Sequence, residues 1–296
     1  MATDPTPPSP ATLDPSIFDA YAPAEIARSV QLTAMTKAKL AMTPLLGLSV
    51  LAGAFISFGA MFYTLVLTGA GPEFGPPRLL AGIAFSLGLV LVLVGGAELF
   101  TGNSLMVMGW ADRKVTTRDL LRNWIASYVG NFAGAIGIVA MATVAGVIHL
   151  GDDGVGFSAV KIAAGKVELP FHVAFVRGVL CNVLVCLAVW LCLAAHSVTA
   201  KILAIVFPIS AFVALGFEHS IANMYLIPMG ILAAADANIA AAAAAEGIEL
   251  AGLGVRGFMA NLIPVTLGNI VGGGGLVALT YYVIYLRGDH GGAGSS

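Results

Sequence analysis

Hydrophobic positions in this chain fall in long continuous runs, at about residues 44–68, 79–110, 120–150, 170–196, 199–235 and 257–286. Short Gly/Pro or charged connections separate them, with one longer Ala-rich loop, "DANIAAAAAAEGIELAGLG". A bilayer core about 30 Å thick is crossed by about 20 apolar residues in a helix. Strands of a membrane barrel would instead alternate in short segments, so the runs predict helices. Two runs do not fit a simple span. In 199–235, the strongly polar residues Glu218, His219 and Asn223 sit mid-run, and each flanking half is short for a crossing. Region 79–110 has the same character, with Glu98, Thr101 and Asn103 inside it. Both read as helices broken near the membrane midplane, where irregular backbone survives only against protein or a water-lined cavity.

These two regions belong to an internal repeat. "GAELFTGN" (96–103) and "GFEHSIAN" (216–223) share Gly-x-Glu-x-x-x-x-Asn. "NWIASYVGNFAG" (123–134) and "NLIPVTLGNIVG" (261–272) share Asn-x-Ile-x-x-x-x-Gly-Asn-x-x-Gly. The pairs recur in the same order, in the second and third spans of each half. Three spans per copy force the second copy into the membrane upside down, the plan of many channels and transporters.

Composition agrees. The 296 residues are 58% hydrophobic and 10% charged, whereas a soluble domain carries about a quarter charged residues. The net charge of −2 says nothing about partners, and no basic run points to nucleic acid, so no nucleic-acid partner is expected. Cys181, Cys186 and Cys192 lie in one apolar segment without metal spacing, so they read as small hydrophobes, and neither metal nor cofactor is expected. Residues 1–14, rich in Pro, read as a disordered cytoplasmic tail rather than a signal peptide, and 288–296 as a C-terminal tail. Residues 15–43 read as an amphipathic helix on the membrane surface, started by Asp14–Pro15 and able to cover the cytoplasmic mouth. Residues 44–287 form the six-span domain. With both ends cytoplasmic, Arg28, Lys37, Lys39, Arg113, Lys114, Arg118, Arg122, Lys201 and Arg287 lie inside, against Arg78, Lys161, Lys166 and Arg256 outside.

Ionisable groups at mid-membrane depth usually mark function. His219 is therefore the leading pore residue, uncharged at rest and still able to donate a hydrogen bond. Glu218, about 100° away on a helix, is expected to brace the break by accepting from backbone amides or from the imidazole; Glu98 reads likewise. Thr101 either partners His219 or a solute, or caps the second half-helix, as Asn103 also could. Phe212 lies two turns before His219 on nearly the same face, and Phe85 with Leu89 forms a similar stripe.

"GAELFTGN", "RGVLCNVLVCLAVW", "GFEHSIANMYLIPMG" and "NLIPVTLGNIVGG" together resemble the formate/nitrite transporter family, over about residues 15–287. The resemblance implies an all-α, aquaporin-like membrane fold of six helices in two inverted three-helix repeats, the second and fifth broken. It also implies a homopentamer in the prokaryotic cytoplasmic membrane, with one pore per protomer. His219 matches the family's central pore histidine and Thr101 the threonine of the first break. Glu218 and Asn182 match residues that hold the histidine in place, with Asn223 and Glu98 in support. Phe85, Leu89 and Phe212 match two hydrophobic constrictions, and Lys166 a basic residue of the outer vestibule. The implied activity is transport of a small weak-acid anion, formate foremost, with nitrite, hydrosulfide or acetate as other candidates, and with proton relay through His219. A neutral-solute facilitator is the alternative class, and a membrane enzyme would need a nucleophile or cofactor motif that the sequence lacks.

Overall fold

The computed structural model describes residues 19–70 and 74–287; the tails 1–14 and 288–296 and the Asp14–Pro15 start signal lie outside them. Helix is the regular secondary structure of the described residues. Helix α1 (Pro23–Ala38) is followed by α2 (Met42–Leu67), α3 (Gly75–Gly95), a 3-10 turn (Gly102–Met106) running into α4 (Val107–Ala111), and α5 (Thr117–Val144). The second half holds α6 (Gly154–Val167), α7 (Phe171–Ala194), α8 (Val198–Ala214), α9 (Ser220–Ala233), α10 (Ala237–Ala245) and α11 (Val255–Ile270). A π-helical stretch, Val271–Leu279, then leads into α12 (Thr280–Tyr285).

α2, α3, α5, α7 and the continuous stretch Val255–Tyr285 are each long and apolar enough to cross a bilayer. The fifth hydrophobic run is divided into α8 and α9. Both breaks follow the same local chemistry. α3 ends where Gly96 turns left-handed (φ 81°), with Ala97 N–H returning to Val92 O; α8 ends at Gly216 (φ 72°), with Phe217 N–H returning to Phe212 O. Glycine takes that conformation without the Cβ clash other residues suffer.

The halves are packed by equivalent contacts. α2 crosses α5 so closely that a Cβ on Gly134 would sit 2.0 Å from Val50 O; α7 meets the start of the π-helical stretch after α11 with a Cβ on Gly272 2.2 Å from Val179 O. Small residues at such crossings let backbones approach where lipid offers no hydrophobic drive. The repeat is longer than three helices. Lys37 precedes Leu48 by the same interval that separates Lys166 from Arg177, and Leu48 O and Arg177 O each accept from a break glutamate, Glu98 N–H and Glu218 N–H, both at 3.2 Å. α1 is thus the counterpart of α6, and each repeat opens with a short helix.

Two connections hold helices, and α1 packs against the body: its stripe Ile26, Ala27, Val30, Ala34 and Ala38 is buried in a cluster with Met106, Met108, Val115 and Trp190. An amphipathic pattern shows which face is apolar, not what covers it. The connection before 170 contains α6, which packs on α9, and the Ala-rich loop contains α10, capped by Asp236 accepting from Asn238 N–H at 2.9 Å. Neither helix is long enough to register as a span.

Candidate functional site

The two breaks meet at one hydrogen bond. Thr101 Oγ1 lies 2.9 Å from His219 Nε2, and both residues are buried. His219 is the N-cap of α9: its Nδ1 accepts from Ala222 N–H at 3.1 Å. A backbone amide can only donate, so Nδ1 carries no proton in this arrangement. The ring's hydrogen therefore sits on Nε2, directed at the Thr101 hydroxyl. Of the two roles open to Thr101, partner of His219 or cap of its own half-helix, the structure shows the first: its side chain makes no cap on Gly102–Met106, whereas in the other break His219 caps α9.

Buried asparagines hold each break, in the same way in both halves. Asn269 Oδ1 accepts from Ser220 N–H (2.9 Å) while its Nδ2 donates to Glu218 O (3.0 Å) and Gly178 O (2.8 Å). Asn131 Oδ1 accepts from Phe100 N–H (2.9 Å) while its Nδ2 donates to Glu98 O (2.9 Å) and Ser49 O (2.7 Å). These amides supply the partners that interrupted backbone needs away from water. Both asparagines lie within the repeated Gly-Asn-x-x-Gly string, a signal sufficient to find them, though the sequence reading passed over them. Asn182 does not touch the histidine. Its Nδ2 donates to Asn269 O (2.6 Å), Thr101 O (3.2 Å) and Ser104 Oγ (3.2 Å), tying the two breaks together from behind. The widened π-helical turn presents Gly273 there, where a Cβ would fall 2.4 Å from Asn182 Nδ2.

Nor does Glu218 reach the imidazole. Its Oε1 pairs with Lys166 Nζ at 2.9 Å, and its Oε2 accepts from Asn223 Nδ2 at 2.7 Å and Asn261 Nδ2 at 3.4 Å. Neighbouring residues project apart, and the carboxylate turns to the cation instead. Glu98 repeats the pattern: Oε1 pairs with Lys37 Nζ at 2.6 Å and Oε2 accepts from Asn103 Nδ2 at 2.8 Å, which also reaches Asn123 Oδ1 at 2.8 Å. Lys37, which the sequence reading only counted as an inside charge, is the counterpart of Lys166.

Two cavities flank this centre. One, of about 390 Å³, is lined by Lys166, Glu218, His219, Asn223, Phe85 and Phe212, among others. The other, of about 290 Å³, is lined by Lys37, Glu98, Asn103 and Leu89, with α1 contributing Val30, Thr33 and Ala34 to its wall. Thr101 lines neither. The apolar residues pair differently from the expected stripe. Phe85 packs edge-on against Phe212 at 5.7 Å between ring centroids, and Phe212 stacks on His219 at 6.0 Å, whereas Leu89 lies toward the other cavity. The stripe along α3 passes from one cavity to the other, so residues one turn apart serve opposite sides.

Polar breaks, paired charges and packed apolar side chains thus lie between two cavities. Comparison with known proteins identifies the family. A family model described as "Formate/nitrite transporter" matches residues 24–283. The chain is 41% identical to the "Formate channel FocA" of Escherichia coli (strain K12) over 280 residues, 92% of this chain and 98% of that protein. It is 41% identical to the "Probable formate transporter" of Methanothermobacter thermautotrophicus over 282 residues, 90% of this chain and 97% of that one. Among solved structures, a "Pentameric formate channel with formate bound" superimposes with a TM-score of 0.76 at 40% identity, covering 83% of this chain and 98% of its own. An "FNT family ion channel" also reaches 0.76, at 28% identity, covering 88% and 98%. The chain is a membrane channel or transporter rather than an enzyme, and it belongs to the formate/nitrite transporter family.

Proposed function

We propose that the protein carries small monovalent anions of weak acids, formate foremost, across the cytoplasmic membrane, with His219 handling the accompanying proton. The observation that carries this reading is the Thr101–His219 hydrogen bond, which joins the two breaks at the floor of a cavity also lined by Lys166. The similar formate channels named above support formate as the solute.

A bare monovalent ion entering a dry apolar constriction loses several kcal/mol of hydration even after relaxation. Phe85 and Phe212 on one side and Leu89 on the other impose that cost. Lys166 and Lys37 draw the anion to each mouth, and the N-terminal end of α9 adds partial positive charge. At the centre His219 Nε2–H donates a hydrogen bond to the anion in place of Thr101. Full protonation of the ring requires Nδ1 to gain a proton and release Ala222 N–H, and a neighbouring anion offsets that loss. The Nε2 proton then passes to a weak-acid anion, which crosses the second constriction neutral, and water in the cavity returns a proton to the ring. Anions of strong acids stay charged and are rejected.

The basic-residue asymmetry supports both termini inside, so that the Lys166 cavity opens outward and the Lys37 cavity inward. The pentamer of the similar formate channel supports a homopentamer with one such passage per protomer. Uptake of labelled formate into proteoliposomes tests the reading. It should rise as external pH falls, and a His219→Phe variant should lose that dependence. An unchanged pH response in that variant, or chloride crossing as fast as formate, would sink the scheme. Osmotic swelling measured beside it separates a neutral-solute facilitator.

A further inference from the structure

The Lys166 cavity contains a group that neither the break networks nor the histidine employs. Arg78 stands in the first turns of α3 and lines this cavity with Lys161, Lys166 and Arg177, against a single carboxylate, Glu218. Its Nε donates to Ala214 O at 2.7 Å, capping one of the last carbonyls of α8. Its guanidinium packs over Gly216, where a Cβ would meet Nη2 at 2.8 Å, and its Cζ lies 4.7 Å above the Phe74 ring. Bonded through Nε and stacked on one face, the guanidinium is fixed in plane. Among the described residues its two Nη groups donate to no acceptor.

We propose that the paired Nη groups of Arg78 form a docking station for a small planar monocarboxylate, held end-on by two parallel hydrogen bonds before it advances to His219. The inference rests on the anion-transport reading and adds a selection step to it. A carboxylate offers two oxygens at the spacing of the guanidinium fork; a lysine ammonium is a point charge without that match. Lys166 cannot impose the same selection, since its ammonium is a point charge without the planar fork. The other cavity has no counterpart, because the repeat-equivalent position of Arg78 is Val198, at the start of α8, and Lys37 and Glu98 are the charges that line it. Docking at Arg78 also places the anion against the helix end that positions the second break, because one guanidinium serves both.

The test is labelled formate uptake into proteoliposomes by wild type and Arg78→Lys, each purified as a monodisperse oligomer. Uptake is competed with acetate, which offers a carboxylate, and with azide, which is linear and does not. The expected result is a half-saturating formate concentration raised about tenfold with the maximal rate retained. Acetate competition should weaken in step while azide competition stays as in wild type. Half-saturation equal to wild type would show that charge alone matters and overturn the assignment. A fall in maximal rate at unchanged half-saturation would reduce Arg78 to a helix cap and overturn it too. If Arg78→Lys does not assemble, Arg78→Gln, which still can donate to Ala214 O, is read by the same outcomes. Wild-type protein that carries no formate defeats the transport reading itself; normal wild-type uptake with an unaltered variant defeats only Arg78.

Discussion

The two mouths are built from one plan and finished differently. At the first, Lys37 Nζ reaches both Glu98 Oε1 and Asn103 Oδ1, at 2.6 and 2.9 Å. At the second, Lys166 reaches Glu218 Oε1, and the equivalent amide oxygen, Asn223 Oδ1, has no hydrogen-bond partner among the described residues. Lys166 therefore keeps donors for the cavity that Lys37 spends on its own network. The second mouth also holds three further basic residues and the imidazole; the first holds Leu89 and a wall from α1. Twofold symmetry fixes the backbone breaks, which any such passage needs. The departures from symmetry sit in the side chains that line the two cavities.

The largest expected effects come from breaking one mouth at a time. Phe212→Ala should cost about 3–5 kcal/mol of stability, since it removes the ring between Phe85 and His219. Thermal unfolding in detergent measures this, and the surviving protein should leak charged anions. Leu89→Ala, with a smaller side chain lost at the other cavity, should cost about 2–5 kcal/mol and leak less.

Lys37→Ala and Lys166→Ala each strand a buried carboxylate, at about 3–5 kcal/mol. The comparison sharpens when flux is measured in both directions. Lys166→Ala should raise the half-saturating concentration for entry from its own side, and Lys37→Ala for entry from the other. Equal effects of both variants in both directions would mean that the asymmetry is decorative.

Thr101→Val should lose about 1 kcal/mol of stability, because one hydrogen bond goes, yet flux should fall at least tenfold if Nε2 needs a hydroxyl neighbour. Asp236→Ala is the control. It removes a cap on α10, none of whose residues lines either cavity, at about 1 kcal/mol, and should leave transport unchanged.

Much of this was legible because the repeat writes it twice. The paired Glu and Asn of "GAELFTGN" and "GFEHSIAN" located both breaks, and a histidine in an apolar run marked the centre. What stayed hidden depends on distance in space. Lys37 meets Glu98 only after α1 docks, and its interval to the break differs from that of Lys166, so the repeat of "GAELFTGN" does not carry over to it. α6 was missed because Gly151, Asp152 and Asp153, followed by a short apolar run, read as a link. Glu218 was expected to accept from backbone amides of the break or from the imidazole, but which partner a carboxylate chooses is decided by the nearest cation. Asn182 was expected at the histidine for want of knowing that the π-helical turn opens room for it behind Thr101.

The pairing of α1 with α6 bears on where this molecule can be cut. Arg122 Nη2 clasps Ala38 O and Leu40 O at 3.0 and 2.6 Å, and Gln31 Nε2 meets Asp112 Oδ2 at 2.5 Å, so the first helix is bolted to the body at both its middle and its end. Trimming the chain to begin at Met42 would discard half of a matched set, with Glu98 left behind without its ammonium. The smallest transporter that can be engineered from this sequence starts ahead of Pro23.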